Sequence, residues 1–371
     1  MMIKIPMFRP ALETIDAKYL QMALEGQRAK LLAELESKTA RRLGVPHVIA
    51  VANGALAIHL SLCAIDMKRG DKMITSINAH PSLGQAIRQF DAEPIFCDID
   101  PQSYNMSLTV AEDVLAAGAK KLRGALFSFA AGQSANLDKM YEIRNERKSV
   151  IIVEAFGAFG MNALLEEGKP DMFVTSLFPI ESLFGANVGF IATHNDVFKE
   201  RAEMIRNNGL DRRSTNVSYT YDMLDLGYAY MPSALDLAYA LSALDISDRS
   251  LARRLEIASR YDHAFASLSH ITPPIKNAEH AYTNYIIKID KNRDNFARAL
   301  LADGIEVALH YIPLHLMSYY RSKYAIKITE FPRALSNYQH ILSIPISASL
   351  SDNDVAQIIG SVLEHDQSRA W

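Results

Sequence analysis

From about residue 48 to residue 192, short apolar runs alternate with amphipathic stretches, and this alternation leaves few folds open to the chain. Short apolar runs bounded by turn residues read as strands buried on both faces, and the stretches between them read as crossover helices. The strand candidates are His47-Val51, Lys72-Thr75, Glu93-Asp98, Gly124-Phe129, Ser149-Glu154, Met172-Ser176 and Gly189-Thr193. Apolar residues at three- and four-residue spacing predict helices at Ala55-Ile65 and Leu137-Arg147. The expectation is one broad, mainly parallel sheet, with ligands held where the strand carboxyl ends meet the loops and helix starts. Asn53-Gly54-Ala55, Ile77 to His80, Ala131-Gly132-Gln133, Glu154 to Gly157 and Ser176 to Asn187 stand at those ends and should converge on one pocket.

Past Thr193 the pattern shifts to long helices, Asn195-Arg206 and Ser233-Leu268. After them come a strand at Tyr282-Ile289, a helix at Asp294-Asp303, a strand at Glu306-Tyr311 and a helix at Asp352-Asp366. At 371 residues the chain suits two domains. The division expected is a large one over 1–245 and a small α/β one over 246–371, with the segment 1–25 a candidate to pack on the small one.

The chain carries 39 basic and 42 acidic residues, well mixed, for a net charge of −3. That balance gives no footprint for nucleic acid or anionic lipid. No leader pattern and no membrane-length apolar stretch is present, which makes a cytoplasmic protein the expectation. Cys63 and Cys97 lie in apolar surroundings without metal-ligand spacing and read as buried small hydrophobes, so no metal site is expected.

Seven collinear segments carry a resemblance. They are RRLGVPHVIAVANGALAIHLSL (41–62), AEPIFCDIDPQSYNMS (92–107), GQSANLD (132–138), MIRNNG (204–209), RRLEIASRYD (253–262), HYIPLHLMSYY (310–320) and ILSIPISASLSDNDV (341–355). In that order they resemble the sugar aminotransferases typified by DegT, DnrJ and StrS, which process keto-sugars carried on nucleotides. The resemblance implies the aspartate-aminotransferase (type I) fold: a three-layer α/β sandwich around a mixed seven-stranded sheet, with a small C-terminal α/β domain. It also implies a homodimer and a nucleotide-sugar ligand.

In that family a lysine forms a Schiff base with pyridoxal phosphate. Its Ser-Phe-His-Pro-Thr-Lys motif falls on Ser176 to Glu181, so Glu181 stands where the lysine belongs, and a carboxylate cannot form an imine. A Glu-Asp-Ala-Ala-Gln-Ala-His-Gly stretch, whose aspartate pairs with the pyridine nitrogen, falls on Val153 to Gly160. Its aspartate becomes Glu154, its glutamine Gly157 and its histidine Phe159. The Ser-Gly-Thr phosphate cradle becomes Asn53-Gly54-Ala55 and loses its hydroxyl. The asparagine that reaches the neighbouring subunit's phosphate becomes Ala229. Gly54, Ala55 and Ser176 are thus expected to line a degraded phosphate site, holding neither pyridoxal nor pyridoxamine phosphate.

The acid–base candidates are Glu181, Glu154 and His80, with Asn53, Gln133, His310, Tyr311 and His315 as substrate contacts. Against these stand plainer readings: a loop carboxylate at 181, a structural hydrogen bond from Glu154 to a backbone amide or His80, and histidines that brace the domain contact. Three functions follow. They are cofactor-free acid–base conversion of a nucleotide-linked keto-sugar, a non-catalytic or regulatory homologue, and a pyridoxamine-phosphate-dependent dehydratase-like enzyme.

Overall fold

The computed structural model describes residues 3–9, 14–158, 169–177, 188–211, 219–275 and 279–368. Seven strands form the main sheet: β1 (His47–Val51), β2 (Lys72–Ser76), β3 (Glu93–Cys97), β4 (Leu122–Ser128), β5 (Val150–Glu154), β6 (Met172–Ser176) and β7 (Gly189–Thr193). All seven sit where the apolar runs place them. Their spatial order is β1-β7-β6-β5-β4-β2-β3. Only β7 runs against its neighbours, pairing antiparallel with β1 and with β6, so the sheet is mixed.

Two-residue periodicity divides the strand side chains between two apolar layers. Val48, Phe127, Ile151, Val153, Phe173 and Phe190 face one layer, packed with the helices Arg28–Leu43 and Ala234–Asp245. Ile49, Val51, Leu126, Ile152, Val174 and Ile191 face the other, packed with the helices Gly54–Ala64 and Asp196–Arg206. Burial on both faces is why these strands read as unbroken apolar runs. Cys63 and Cys97 are both buried.

A ribbon follows, β8 (Leu210–Asp211) against β9 (Asp222–Met223). A second core surrounds the antiparallel sheet of β10 (Ile271–Thr272), β11 (Tyr285–Ile289) and β12 (Ile341–Ile344), under the helices Ser247–Phe265, Arg293–Ala302 and Asp352–Ser368. The N-terminal segment divides between the two bodies. Ile5 joins the second core and bridges Ile305, whereas the helix Ala17–Leu24 supplies Tyr19 and Ala23 to the first.

Two elements differ from expectation. The long helix over Ser233-Leu268 is two helices, because Ile246 caps the first, its N–H turned back to Ala243 and Leu244. Glu306-Tyr311 is no strand. Among the described residues its one ladder contact is the bridge between Ala308 and Ser343, and the Glu306 carboxylate accepts the Met7 N–H at 2.8 Å. Among the described residues, no helix is long and apolar enough to cross a membrane, and no group of three His, Cys, Asp or Glu could hold a metal ion.

Candidate active site

The carboxyl ends of β1, β2, β5 and β6 open on a cleft of about 440 Å³ lined by Asn53, Gly54, Ala55, His80, Ser82, Phe156, Ser176, His310 and Tyr311. A larger groove of about 520 Å³, lined by Arg41, His47 and Lys199 among others, lies at the amino end of β1. In an open α/β sheet the carboxyl ends gather the loops and helix starts, so the smaller cleft is the candidate site.

Local sequence builds each wall. After β1, Asn53 caps the helix Gly54–Ala64, its Oδ1 accepting the Leu56 N–H at 2.9 Å. After β2, His80 caps the helix Pro81–Arg88, with Pro81 at the first helical position, where its missing N–H costs nothing. The His80 Nδ1 accepts the Ser82 N–H at 3.2 Å and lies 2.8 Å from Ser82 Oγ. With Nδ1 accepting, the neutral ring carries its proton on Nε2. At the end of β6, Ser176 is 1% exposed and its Oγ has no hydrogen-bond partner among the described residues.

The fourth wall comes from the second body. Leu314 donates its N–H to Ile77 O at 2.8 Å, which ties the 310–314 segment to the loop after β2. His310 Nδ1 lies 2.8 Å from Ser343 Oγ. Tyr311 meets the His80 ring edge to face, with centroids 5.8 Å apart.

Charge is scarce in this cleft. Loss of surrounding water draws the His80 pKa down, and takes that of His310 to about 4 with a smaller push from His80. Burial holds the Tyr311 phenol protonated, reinforced by the nearby Glu154 carboxyl. Near neutral pH the described walls thus present two uncharged imidazoles, a phenol and a hydroxyl. These groups can donate and accept hydrogen bonds and relay protons.

Several sequence candidates lie elsewhere. Glu154 is buried and absent from the cleft wall; its carboxyl accepts from Ser128 Oγ and from the Phe156 N–H, both at 2.6 Å. Burial raises its pKa to about 7 against those two hydrogen bonds. Gln133 turns away, its Nε2 donating to Ile275 O at 3.1 Å. The Ala131–Gly132 turn before it instead accepts the N–H groups of Thr283 and Ala281. His315 is 0% exposed, packed on Phe331 with Nε2 3.1 Å from Ile328 O. Gln133 therefore ties the loop after β4 to the segment after β10, and His315 packs within its own 314–331 segment. Glu181 and Phe159 lie outside the described residues. Sequence reading singled out polar groups and so passed over Phe156, although an aromatic in place of the motif's alanine was visible.

The profile of the DegT/DnrJ/EryC1/StrS aminotransferase family matches residues 13–363. The spore coat polysaccharide biosynthesis protein SpsC of Bacillus subtilis is 25% identical over 94% of this chain and 92% of its own. The UDP-4-amino-4-deoxy-L-arabinose--oxoglutarate aminotransferase of Shewanella sediminis is 24% identical over 97% of each. Among solved structures, Helicobacter pylori PseC, an aminotransferase involved in the biosynthesis of pseudoaminic acid, superposes with a TM-score of 0.87 at 18% identity. It covers 98% of this chain and 99% of its own, which is a likeness of fold. With the profile spanning both bodies and the cleft between them, the chain belongs to the DegT/DnrJ/EryC1/StrS aminotransferase family.

Proposed function

We propose that this protein binds a nucleotide-linked keto-sugar in the cleft and converts it by acid–base chemistry on its own side chains, without pyridoxal or pyridoxamine phosphate. The observation that carries the reading is Glu181 at the position of the family's lysine, since imine formation needs an amine. Ala55 supports it by lacking the cradle's hydroxyl, as does Asn53, whose side chain already satisfies a helix-start N–H. The UDP-sugar in the Shewanella relative's name supports the substrate class. Ser176 and the start of the helix Gly54–Ala64 offer donors to an anionic group of such a ligand.

The chemistry within reach is proton transfer next to a carbonyl. A base removes the proton from the adjacent carbon to leave an enediolate, and an acid returns a proton to carbon, which isomerises or epimerises the sugar. His80 and Glu181 are the pair assigned to it. Incubation of the protein with UDP-linked 4-keto-sugars in D2O should place deuterium on the carbon beside the carbonyl. Glu181→Ala and His80→Ala should each slow that exchange by roughly a hundredfold or more. Binding without exchange would favour the non-catalytic reading, and unaltered exchange in both variants would sink the assignment.

A homodimer belongs to the same reading. The stretch around β9 exposes Tyr219 (82%), Tyr221, Met223, Leu224 and Leu226 (78%), a cluster a second copy would cover. Light scattering should give twice the 41.3 kDa chain mass. Leu226→Asp should raise the dimer dissociation constant by about a hundredfold, and a monomeric parent would refute the assignment.

A further inference from the structure

Phe156 fills the residue position that is the second alanine of the family's Glu-Asp-Ala-Ala-Gln-Ala-His-Gly stretch, two places past the acid. Its backbone is fixed on both sides. Ala155 N–H donates to Val174 O and Gly157 N–H to Ser176 O, each at 2.9 Å, which ties the turn to β6. The Phe156 N–H itself donates to Glu154 Oε1 at 2.6 Å, so the residue starts beside the buried carboxyl. Its ring ends at the opposite wall. A Cβ placed on Gly54 would lie 2.7 Å from Phe156 Cε1 and 2.8 Å from Cζ, closer than van der Waals contact allows. The side chain therefore bridges the gap between the acid that ends β5 and the helix start after β1.

That gap is the one a pyridine ring would bridge if its nitrogen faced residue 154 and its phosphate sat on Gly54 and Ala55. Two rings cannot share it. The acid end of the gap is also answered from within, and one donor of the helix start is already taken. Glu154 receives Ser128 Oγ and the Phe156 N–H, and Asn53 receives the Leu56 N–H. We infer that Phe156 is a built-in occupant of the cofactor-ring volume, the residue that sets this chain's specificity against vitamin B6 phosphates. Removal of its ring reopens the site. This inference deepens the cofactor part of the reading above and is independent of which sugar, if any, is converted.

Titration with pyridoxamine 5′-phosphate, read by equilibrium dialysis and by the shift in melting temperature, tests it. The parent should show no saturation into the millimolar range. Phe156→Ala should bind about tenfold tighter or better, and adding Ala55→Thr should tighten binding again. Phe156→Trp should stay as weak as the parent. If Phe156→Ala does not fold, Phe156→Val carries the same test with less volume removed. Saturable binding by the parent overturns the inference, as does a folded Phe156→Ala or Phe156→Val that gains nothing. UDP-sugar binding to the parent, measured alongside, reports separately on the proposed function.

Discussion

Glu154→Gln should be more stable than the parent by about 3 kcal/mol at pH 8 and equal to it near pH 4. Burial raises this carboxyl from an ordinary 4.5 to about 7. Between those values the folded chain binds a proton that the unfolded chain has released, so stability falls as pH rises and stays lower above about 7. The shift multiplied by about 1.4 kcal/mol per pH unit gives the size. Glutamine keeps both contacts, accepting the Phe156 N–H through Oε1 and donating to Ser128 Oγ through Nε2, but has no charge to desolvate. Urea unfolding of both proteins at the two pH values measures it. A difference that does not change with pH would show that the carboxyl is not desolvated in the fold.

A loss of stability is expected at Arg206, buried at the end of the helix Asp196–Arg206. Its Nη1 donates to Glu36 Oε1 and, at 2.7 Å, to Ala50 O, while Glu36 Oε1 also accepts the Ala50 N–H at 2.9 Å. Burial raises the Glu36 pKa, with the Arg206 charge opposing. Arg206→Met would strip a half-buried carboxylate of its cation and leave the Ala50 carbonyl without that donor, at a cost of about 2–3 kcal/mol. Pairing it with Glu36→Gln, which removes the stranded charge, should recover most of the loss. Denaturant midpoints of the two variants decide the matter, and a single variant within about 1 kcal/mol of the parent would refute this account. The effect should reach the cleft, because Ala50 is in β1, which leads straight into Asn53.

Much of this architecture was legible because it rests on patterns that sequence displays directly. Ile49, Ile152 and Val174 sit in apolar runs of strand length, and burial on both faces needs such runs. Ile246 hid the break in the long helix, since an apolar residue that caps a helix keeps the same periodicity as one inside it. Glu306-Tyr311 has a strand's composition, yet its backbone partners are scattered over Ile5, Ser343 and the Asn78 side chain. In the cleft, Asn53, His80, Ser176, His310 and Tyr311 were found from their places at strand ends and in matched segments. Gln133 and His315 fit the same criterion and point elsewhere, because a strand's end fixes a residue's neighbourhood but not its rotamer. Phe156 was missed because an apolar residue beside an acid looks like packing until its reach to Gly54 is seen.

The place of β7 has a consequence for how the chain is made. Among the described residues β1 pairs only with β7, the last strand of the sheet to leave the ribosome, and β7 must enter between β1 and β6 with opposite polarity to both. Until then β1 has no strand partner, and the Asn53–Gly54 wall lacks the support of β7; a Cβ on Gly189 would lie 2.3 Å from Asn53 O. Closure between such distant segments is slow. During synthesis the nascent sheet waits with its future cleft half built and the β1 edge uncovered.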